Sequence, residues 1–421
     1  MTQFARSRAS LQRRRGALAR KAEPETPRNP LARSGAVLAV ATVVAGVLGY
    51  VYILVLTRAL GPVGYGVLGS LLGLSVVLSI ASTALQLEAT RAVAIDPSAP
   101  RGWLHRRGIA ISFATGALTL LATPLIDAVL RLPTPTLVFA LAAVMLPQTY
   151  VGVQLGILLG AGRTGAFSLL LVVSGASRTA AAVLTAVLHQ SPAFALWVSA
   201  ATGVATNVIG ALLIRRLPRP HLASDHPPIG WSGFLRAALG AGALIVLLNA
   251  DLLTARAVLP DKESGWYAFL TVFGRVTFWG TNFVALWVFP HEAARESAAK
   301  ARAYALTAVA VIATFAVASS WLAGDVITDT LAGPEYAGAA GYAPWFAVAG
   351  SLLSVVQLAT YVDVARGRRR LSLVVWAASP AMVLAIWLAP HTIAGVISAA
   401  VVILTVVAAA GVASMRRSAA R

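Results

Sequence analysis

The sequence contains no cysteine and few charged residues, which make up only 12% of its 421 positions. The lack of cysteine excludes disulfides, thiolate metal sites and cysteine catalysis. Average soluble domains have about 25% charged residues. The mean hydropathy of this chain is +0.78, and 58% of its residues are apolar. We therefore predict an integral membrane protein and not a soluble domain.

Signatures of enzymes and metal sites are also lacking. The six histidines show no HExxH spacing, and no GxxxxGK[ST] motif is present. We therefore expect no cofactor, no metal site and no direct coupling to ATP. The net charge of +19 would suit nucleic acid, but the basic residues flank apolar segments, a pattern typical of membrane orientation. No nucleic-acid partner is expected.

Twelve apolar segments follow the basic N-terminus, each about long enough to cross a bilayer. The predicted spans are 35–57, 67–87, 107–130, 136–159, 165–188, 192–214, 237–258, 268–288, 303–323, 340–362, 371–389 and 392–414. With the N-terminus inside, 28 of the 34 basic residues fall in cytoplasmic tails and loops. The outside turns hold only Arg58, Arg131 and Lys262. This asymmetry predicts a multi-pass protein of the cytoplasmic membrane with both termini in the cytoplasm.

The spans divide into two equivalent halves of six. Val153-Gln154-Leu155 recurs as Val356-Gln357-Leu358 about 200 residues later, and an even number of spans per half indicates a parallel repeat. We predict an all-α integral membrane protein of about 12 transmembrane helices in two pseudo-symmetric six-helix lobes. The predicted parts are a disordered basic cytoplasmic tail (1–34), an N-terminal lobe (35–215), a cytoplasmic linker (216–231), a C-terminal lobe (232–414) and a cytoplasmic tail (415–421).

Two spans form a predicted helical hairpin around a polar turn over 259–265. Asp251 lies twelve residues before Glu263 and Arg275 twelve residues after it, which places them at equal depth in an antiparallel hairpin. Charges at such depth are costly, usually paired and often mark a substrate or ion path. Two interpretations stay open. The residues form a structural ion pair, or the pair opens so that Arg275 meets phosphate while Asp251 takes a proton or cation.

Arg178 lies in the middle of another span, within the small and polar stretch 174–179. The first half of the chain offers no acid at comparable depth. An arginine facing lipid is improbable, so we expect Arg178 to face a wet cavity, where its guanidinium would suit bidentate binding of a diphosphate. The alternative is a structural arginine that bonds carbonyls or snorkels between helices.

Further polar groups extend this predicted substrate path. Asn249 and Arg256 are seven residues apart on one helix face, and Arg58 occupies the end of span 1 that corresponds to Arg256 in span 7. Interfacial anchoring is the alternative role of both arginines. The spacing of Gly156 and Gly160 predicts close helix packing. Candidate gate or interface groups are Glu88 with Arg91, Asp363 with Arg366, and Gln154 with Gln357.

Three stretches resemble one family: Leu56–Gly66, the hairpin from Leu248 to Pro290, and Leu331–Arg368. They are similar to the polysaccharide-exporter branch of the multidrug/oligosaccharidyl-lipid/polysaccharide (MOP) flippase superfamily, to which the MATE transporters also belong. The resemblance implies two six-helix lobes in a V, a cationic central cavity and alternating access for a polyprenyl-diphosphate-linked glycan. Many relatives have fourteen spans. The lipid II flippases are among them, so the missing pair counts against that particular assignment.

The sequence favours a non-enzymatic flippase that moves a lipid-linked oligosaccharide, or a related polyprenyl-phosphate intermediate, to the outer leaflet. Three arginines against one acid within the spans favour an anionic ligand. Expected partners are the lipid-linked glycan, membrane lipids, a coupling ion or the membrane potential, and other polysaccharide-assembly membrane proteins. One alternative is a cation-coupled multidrug antiporter, for which an acid-rich aromatic cavity is expected. Another is a glycan polymerase or ligase, although the longest predicted outside connection (323–339) is short for a catalytic loop.

Overall fold

The computed structural model describes residues 30–96, 101–217, 231–294, 298–366, 368 and 370–417. These residues form thirteen α-helices, one 3-10 helix and no strands. The helices are α1 Pro30–Leu78, α2 Ile80–Ile95, α3 Gly102–Leu121, α4 Thr123–Leu130, α5 Thr136–Gly160, α6 Thr164–Val187, α7 Pro192–Arg215, α8 Trp231–Val258, α9 Asp261–Ala294, α10 Ala298–Ala332, the 3-10 helix Pro334–Tyr342, α11 Ala343–Ala365, α12 Arg370–Leu388 and α13 Ile393–Arg417. Most of the predicted tails and linker lies outside the described residues, and the division into these parts stays a prediction.

All twelve predicted segments are helical in the described part of the chain. Eight helices there are long and apolar enough to cross a membrane, or ten if each of two bent pairs forms one span. The run Gly35–Ile95 counts once among the eight, but the non-helical backbone of Gly61 breaks it, so it holds two predicted spans. Predicted span 3 is bent by 58° between α3 and α4. The chain is a multi-pass membrane protein.

The helices pack as two bundles with the same pairwise order. In the N-terminal lobe α1 packs on α6, α2 on α5, and α5 on both α3 and α7. In the C-terminal lobe α8 packs on α12, α9 on α11, and α11 on both α10 and α13. Each of these contacts in one lobe has its counterpart between equivalent spans of the other. The predicted fold of two pseudo-symmetric six-helix lobes is confirmed.

Glycines allow the central helices of each lobe to touch backbone to backbone. A Cβ added to Gly156 of α5 would lie 2.5 Å from the carbonyl oxygen of Gln86 in α2, and Gly160 makes a similar contact one turn later. In the C-terminal lobe a Cβ on Gly350 of α11 would lie 2.1 Å from the carbonyl oxygen of Gly274 in α9. Small residues at such crossings permit the close approach that stabilises helix pairs in membranes, as predicted for α5.

The hairpin turn is shorter than predicted. Only Leu259 and Pro260 connect α8 to α9, because Asp261 already belongs to the first turn of α9. A carboxylate in the first turn interacts favourably with the helix dipole, so a polar sequence does not exclude helix there. The shorter turn moves the centre of the hairpin toward the N-terminus, and Asp251 therefore lies closer to the turn than Arg275 does.

The predicted outside connection over 323–339 is also mostly helical. Helix α10 continues to Ala332, and after Gly333 the 3-10 helix begins at Pro334. Gly333 has a φ of 97°, in the left-handed region that favours glycine. The expectation of a loop is wrong because the polar residues Asp325 and Asp329 lie exposed along the helix, spaced four apart on one face.

We expect Gly350→Ala to destabilise the protein, because the added methyl must push α11 away from the α9 backbone. Overpacking of this kind costs about 1–3 kcal/mol. Thermal unfolding of the purified protein, followed by tryptophan fluorescence, should show a lower midpoint. Gly165→Ala on α6 is the control, since a Cβ there has no neighbour within 4 Å. Equal midpoints for the two variants would contradict the close contact between α9 and α11.

Candidate functional site

A cavity of about 720 Å³ lies between the two lobes. Helices α1, α5, α6 and α7 of the N-terminal lobe and α8 and α9 of the C-terminal lobe form its walls. The lining is mainly apolar, with polar side chains at a minority of positions. Cavities of roughly 300–1,000 Å³ are typical of small-molecule sites. The space is therefore large enough for the head of an amphiphilic molecule.

Two of the predicted binding arginines line this cavity from opposite lobes. Arg178 enters from α6 and Arg275 from α9. The side chain of Arg178 is exposed, and no acceptor among the described residues receives a hydrogen bond from it. The five N–H donors of its guanidinium are therefore available to a ligand. No aspartate or glutamate belongs to the described lining, so the cavity is cationic.

Arg275 is held by a neutral side chain behind the cavity wall. Its Nη2 donates to Oδ1 of Asn249 at 2.9 Å. Asn249 is fully buried, and its Nδ2 donates to the carbonyl oxygen of Ile245 at 2.8 Å. Asn249 lies outside the described cavity lining, and direct contact with substrate stays a prediction. It holds Arg275 through this hydrogen bond, and the amide itself adds no negative charge beside the guanidinium.

Asp251 does not form the expected ion pair with Arg275. Its Oδ2 accepts a hydrogen bond from the hydroxyl of the fully buried Tyr267 at 2.9 Å, and it lies outside the described cavity lining. The prediction is wrong because the short turn places Tyr267, and not Arg275, level with Asp251. Helical side chains also tilt toward the N-terminus of their helix, which brings the guanidinium of Arg275 to Asn249.

Arg256 joins the two lobes and does not line the cavity. It is 2% exposed, and it donates to the carbonyl oxygens of Leu130 at 2.8 Å and Arg131 at 3.1 Å. Arg131 donates in return to the carbonyl oxygen of Arg256 at 2.7 Å, and Asp261 lies 3.0 Å from the Arg256 guanidinium. We call Arg131 and Arg256 the arginine clasp. It ties the end of α4 to the turn between α8 and α9.

A second set of contacts joins the lobes at the same end. The backbone around Gly265 of α9 touches α1 so closely that a side chain would not fit. A Cβ added to Gly265 would lie 1.8 Å from the carbonyl oxygen of Pro62, and a Cβ added to Gly66 would lie 2.9 Å from the Gly265 nitrogen. Arg58 donates to the carbonyl oxygen of Thr330 in α10 and lies outside the described cavity lining. In this arrangement Arg58 makes a contact between the lobes, and its role in substrate binding stays a prediction. The predicted non-cytoplasmic end is closed.

The cavity extends toward the opposite end of the molecule. Its lining includes Thr42 and Gly46 near the start of α1, and Asn282 in the second half of α9. Both places belong to the cytoplasmic halves of their predicted spans. The cavity thus lies toward the predicted cytoplasmic end, whereas the arginine clasp and the contacts of Gly265 join the lobes at the other end.

Glu88 makes a different pair from the one predicted. Its carboxylate lies 2.8 Å from Arg107 of α3, whereas Arg91 is exposed. The expected partner fails because Glu88 is 5% exposed and turned into the lobe. The Arg107 guanidinium also lies 4.4 Å from the ring centre of Trp231, at the start of α8. This cation–π contact joins the lobes at the predicted cytoplasmic end.

The remaining polar candidates have positions within the lobes. Gln154 is fully buried and donates to a backbone carbonyl of α7 at 2.8 Å. Gln357 donates to Oδ1 of Asn282 at 2.9 Å and so holds a residue of the cavity wall. Asp363 accepts from the backbone N–H of Leu371 at 3.1 Å and satisfies a free donor at the start of α12. Their roles as gate groups stay predictions.

Sequence reasoning missed the aromatic part of the cavity. Tyr50 and Tyr52 of α1 and Trp279 of α9 line it. The Tyr50 hydroxyl is buried and has no hydrogen-bond partner among the described residues. Two tyrosines in the middle of an otherwise aliphatic first span were the available signal, since a buried tyrosine hydroxyl usually finds a partner.

No protein-family model and no curated protein sequence matches this chain. Solved structures do resemble it. One is the inward-facing conformation of a multidrug resistance MATE family transporter of the MOP superfamily, with a TM-score of 0.73, 15% identity and coverage of 88% of this chain and 93% of the other. Another is the outward-facing conformation of a multidrug resistance MATE family transporter of the MOP superfamily. Its TM-score is 0.64 at 16% identity, and the match covers 91% of this chain and 94% of the other.

A MOP superfamily transporter from Pyrococcus furiosus is also similar, with a TM-score of 0.57 and 16% identity. The match covers 91% of this chain and 95% of the other. Its description states that the reverse polarity of its binding pocket suggests a different function. At these identities the likeness concerns the fold. The chain has the fold of MATE transporters of the MOP superfamily, and these structural neighbours are transporters.

We expect Arg256→Ala to open the predicted non-cytoplasmic end, because it removes hydrogen bonds from a charged donor worth about 1.5–3 kcal/mol each. The chain has no cysteine, so Ser177→Cys provides a single reporter in the cavity wall. A membrane-impermeant maleimide applied from the non-cytoplasmic side should label this reporter on the order of tenfold faster in the Arg256→Ala background.

Arg106→Ala is the matched control, since Arg106 is exposed on α3. It should leave the labelling rate of the reporter unchanged. If Arg256→Ala gives the same slow labelling as this control, the arginine clasp does not hold that end closed.

Proposed function

We propose that this protein is a flippase that moves a polyprenyl-(di)phosphate-linked oligosaccharide or polysaccharide precursor across the cytoplasmic membrane. The observation that carries the proposal is the pair Arg178 and Arg275, which face one cavity from opposite lobes without a carboxylate in its described lining. Guanidinium groups bind phosphate through paired, charge-assisted hydrogen bonds. The mainly apolar remainder of the wall suits an amphiphile.

The positions of the two arginines also support alternating access. An anion that contacts Arg178 and Arg275 together touches both lobes, and its binding energy then depends on how the lobes are arranged. Similar folds are known in conformations described as inward-facing and outward-facing. We interpret the present arrangement as the inward-facing one, with the arginine clasp closed.

The driving force belongs to the same proposal. We assign the coupling ion, a proton or cation, to Asp251, because its carboxylate is held by Tyr267 away from the cationic cavity. The membrane potential is the alternative source, since it acts directly on the charge of a moving anion. Lipid-linked glycan, membrane lipids and other polysaccharide-assembly proteins are the partners that this function needs.

The multidrug antiporter is the second candidate, because structural neighbours are described as multidrug resistance transporters. Tyr50, Tyr52 and Trp279 supply the aromatic surface that organic cations prefer. Arg178 and Arg275, which line the same cavity from opposite lobes, would repel such cations, and the described lining offers no acid to bind them. The observations therefore favour the anionic cargo.

We expect deletion of the gene to cause accumulation of a lipid-linked oligosaccharide, measured by mass spectrometry of polyprenyl-linked sugars. The wild-type gene should reverse the accumulation, and Arg178→Ala should not, because removing a charged donor weakens anion binding about tenfold to a hundredfold. Arg163→Ala, at an exposed position before α6, is the matched control. An unchanged lipid-linked pool, together with efflux of cationic dyes, would support the antiporter instead.

A further inference from the structure

We infer that Asn249 sets the charge preference of the central cavity, although it does not contact the cavity itself. The inference rests on the proposed function, in which Arg275 receives an anionic head group. Asn249 is the residue that holds Arg275, through the hydrogen bond of 2.9 Å from Nη2 to Oδ1. Its effect on a ligand therefore passes through Arg275, which makes it a positioning residue.

The surroundings of Asn249 fix the orientation of its amide. Its Nδ2 donates to the carbonyl oxygen of Ile245, so Oδ1 is the atom left to face Arg275. Helix α1 passes close by, since a Cβ on Gly73 would lie 3.6 Å from Oδ1. The side chain is fully buried. A neutral acceptor is thus built into the protein at the point where an intramembrane guanidinium needs one.

The neutrality of this acceptor matters because the site is buried. A carboxylate at the same place would form an ion pair with Arg275, and charges attract strongly where the effective dielectric constant is low. Such a pair would compensate the charge that Arg275 presents to the cavity. The amide satisfies a donor of the guanidinium without compensating its charge, so the attraction for an anion is kept.

The chain offers a natural comparison two residues away. Asp251 lies on the same helix and carries the charge that Asn249 lacks, but its carboxylate bonds to Tyr267 and is not paired with Arg275. Asp251 and Asn249 therefore have different partners, and an acid at position 249 would not be equivalent to the acid at position 251. On this inference, an acid at 249 would compete with an anion for Arg275 more strongly than Asp251 does.

The test uses the full-length protein in lipid nanodiscs with two probes, farnesyl diphosphate as the anion and tetraphenylphosphonium as the lipophilic cation. Asn249→Asp preserves the shape of the side chain and should weaken binding of farnesyl diphosphate by about tenfold or more. The same variant should bind tetraphenylphosphonium more tightly than the wild type does. A merely structural role for Asn249 would not produce this gain.

Asp325→Asn, at an exposed position of α10, is the control and should bind farnesyl diphosphate as tightly as the wild type. Asn249→Ser adds no negative charge, although its shorter side chain does not replace the bond to Arg275; it should lose less affinity than Asn249→Asp, and it tests the inference if Asn249→Asp fails to fold. Equal binding of the anion by Asn249→Asp and the wild type would overturn the inference. An equal loss of affinity in Asn249→Ser and Asn249→Asp would overturn it as well.

The wild type and Arg178→Ala report separately on the proposed function. Binding of farnesyl diphosphate by the wild type, and its loss in Arg178→Ala, would support an anion site whatever Asn249 does. A wild-type protein that binds tetraphenylphosphonium and not farnesyl diphosphate would overturn the proposed function, and the inference with it.

Discussion

An arginine within a bilayer must give its N–H groups to protein acceptors or reach water, because hydrocarbon solvates neither its charge nor its donors. The three arginines inside the predicted spans meet this constraint in three ways. Arg256 donates to backbone carbonyls of the other lobe, Arg275 to a buried amide, and Arg178 reaches the cavity.

The two ends of the molecule differ in the contacts that join the lobes. At the predicted non-cytoplasmic end, backbone meets backbone through Gly66 and Gly265, and arginines bond to carbonyls. These contacts require helices to fit closely and are lost together when the lobes separate. At the other end Arg107 stacks on Trp231 and also lies 5.7 Å from the ring centre of Phe234. These contacts are made by side chains.

The helices and their pairing into lobes could be predicted because hydropathy, basic residues and internal repetition are local or periodic properties of the chain. The hydrogen-bond and ion-pair partners of Asp251 and Glu88 could not be predicted from the sequence. Tyr267 and Arg107 become their partners through the length of a turn and the rotation of neighbouring helices. The position of the turn at Pro260 decides which side chains of α8 and α9 lie at the same depth. That position was hard to predict because the polar first turn of α9 resembles a loop in sequence. Arg178 lines the cavity, and its role in binding stays a prediction.

The contact between Arg107 and Trp231 makes the two sides of the molecule different at the predicted cytoplasmic end. This contact joins one edge of the two lobes at the predicted cytoplasmic end. Along the cavity wall, Val43 and Val47 of α1 remain 65% and 56% exposed, and their surface is as apolar as the surrounding lipid. Under the proposed function, this apolar surface gives the hydrocarbon chain of the cargo a lateral path between the membrane and the cavity.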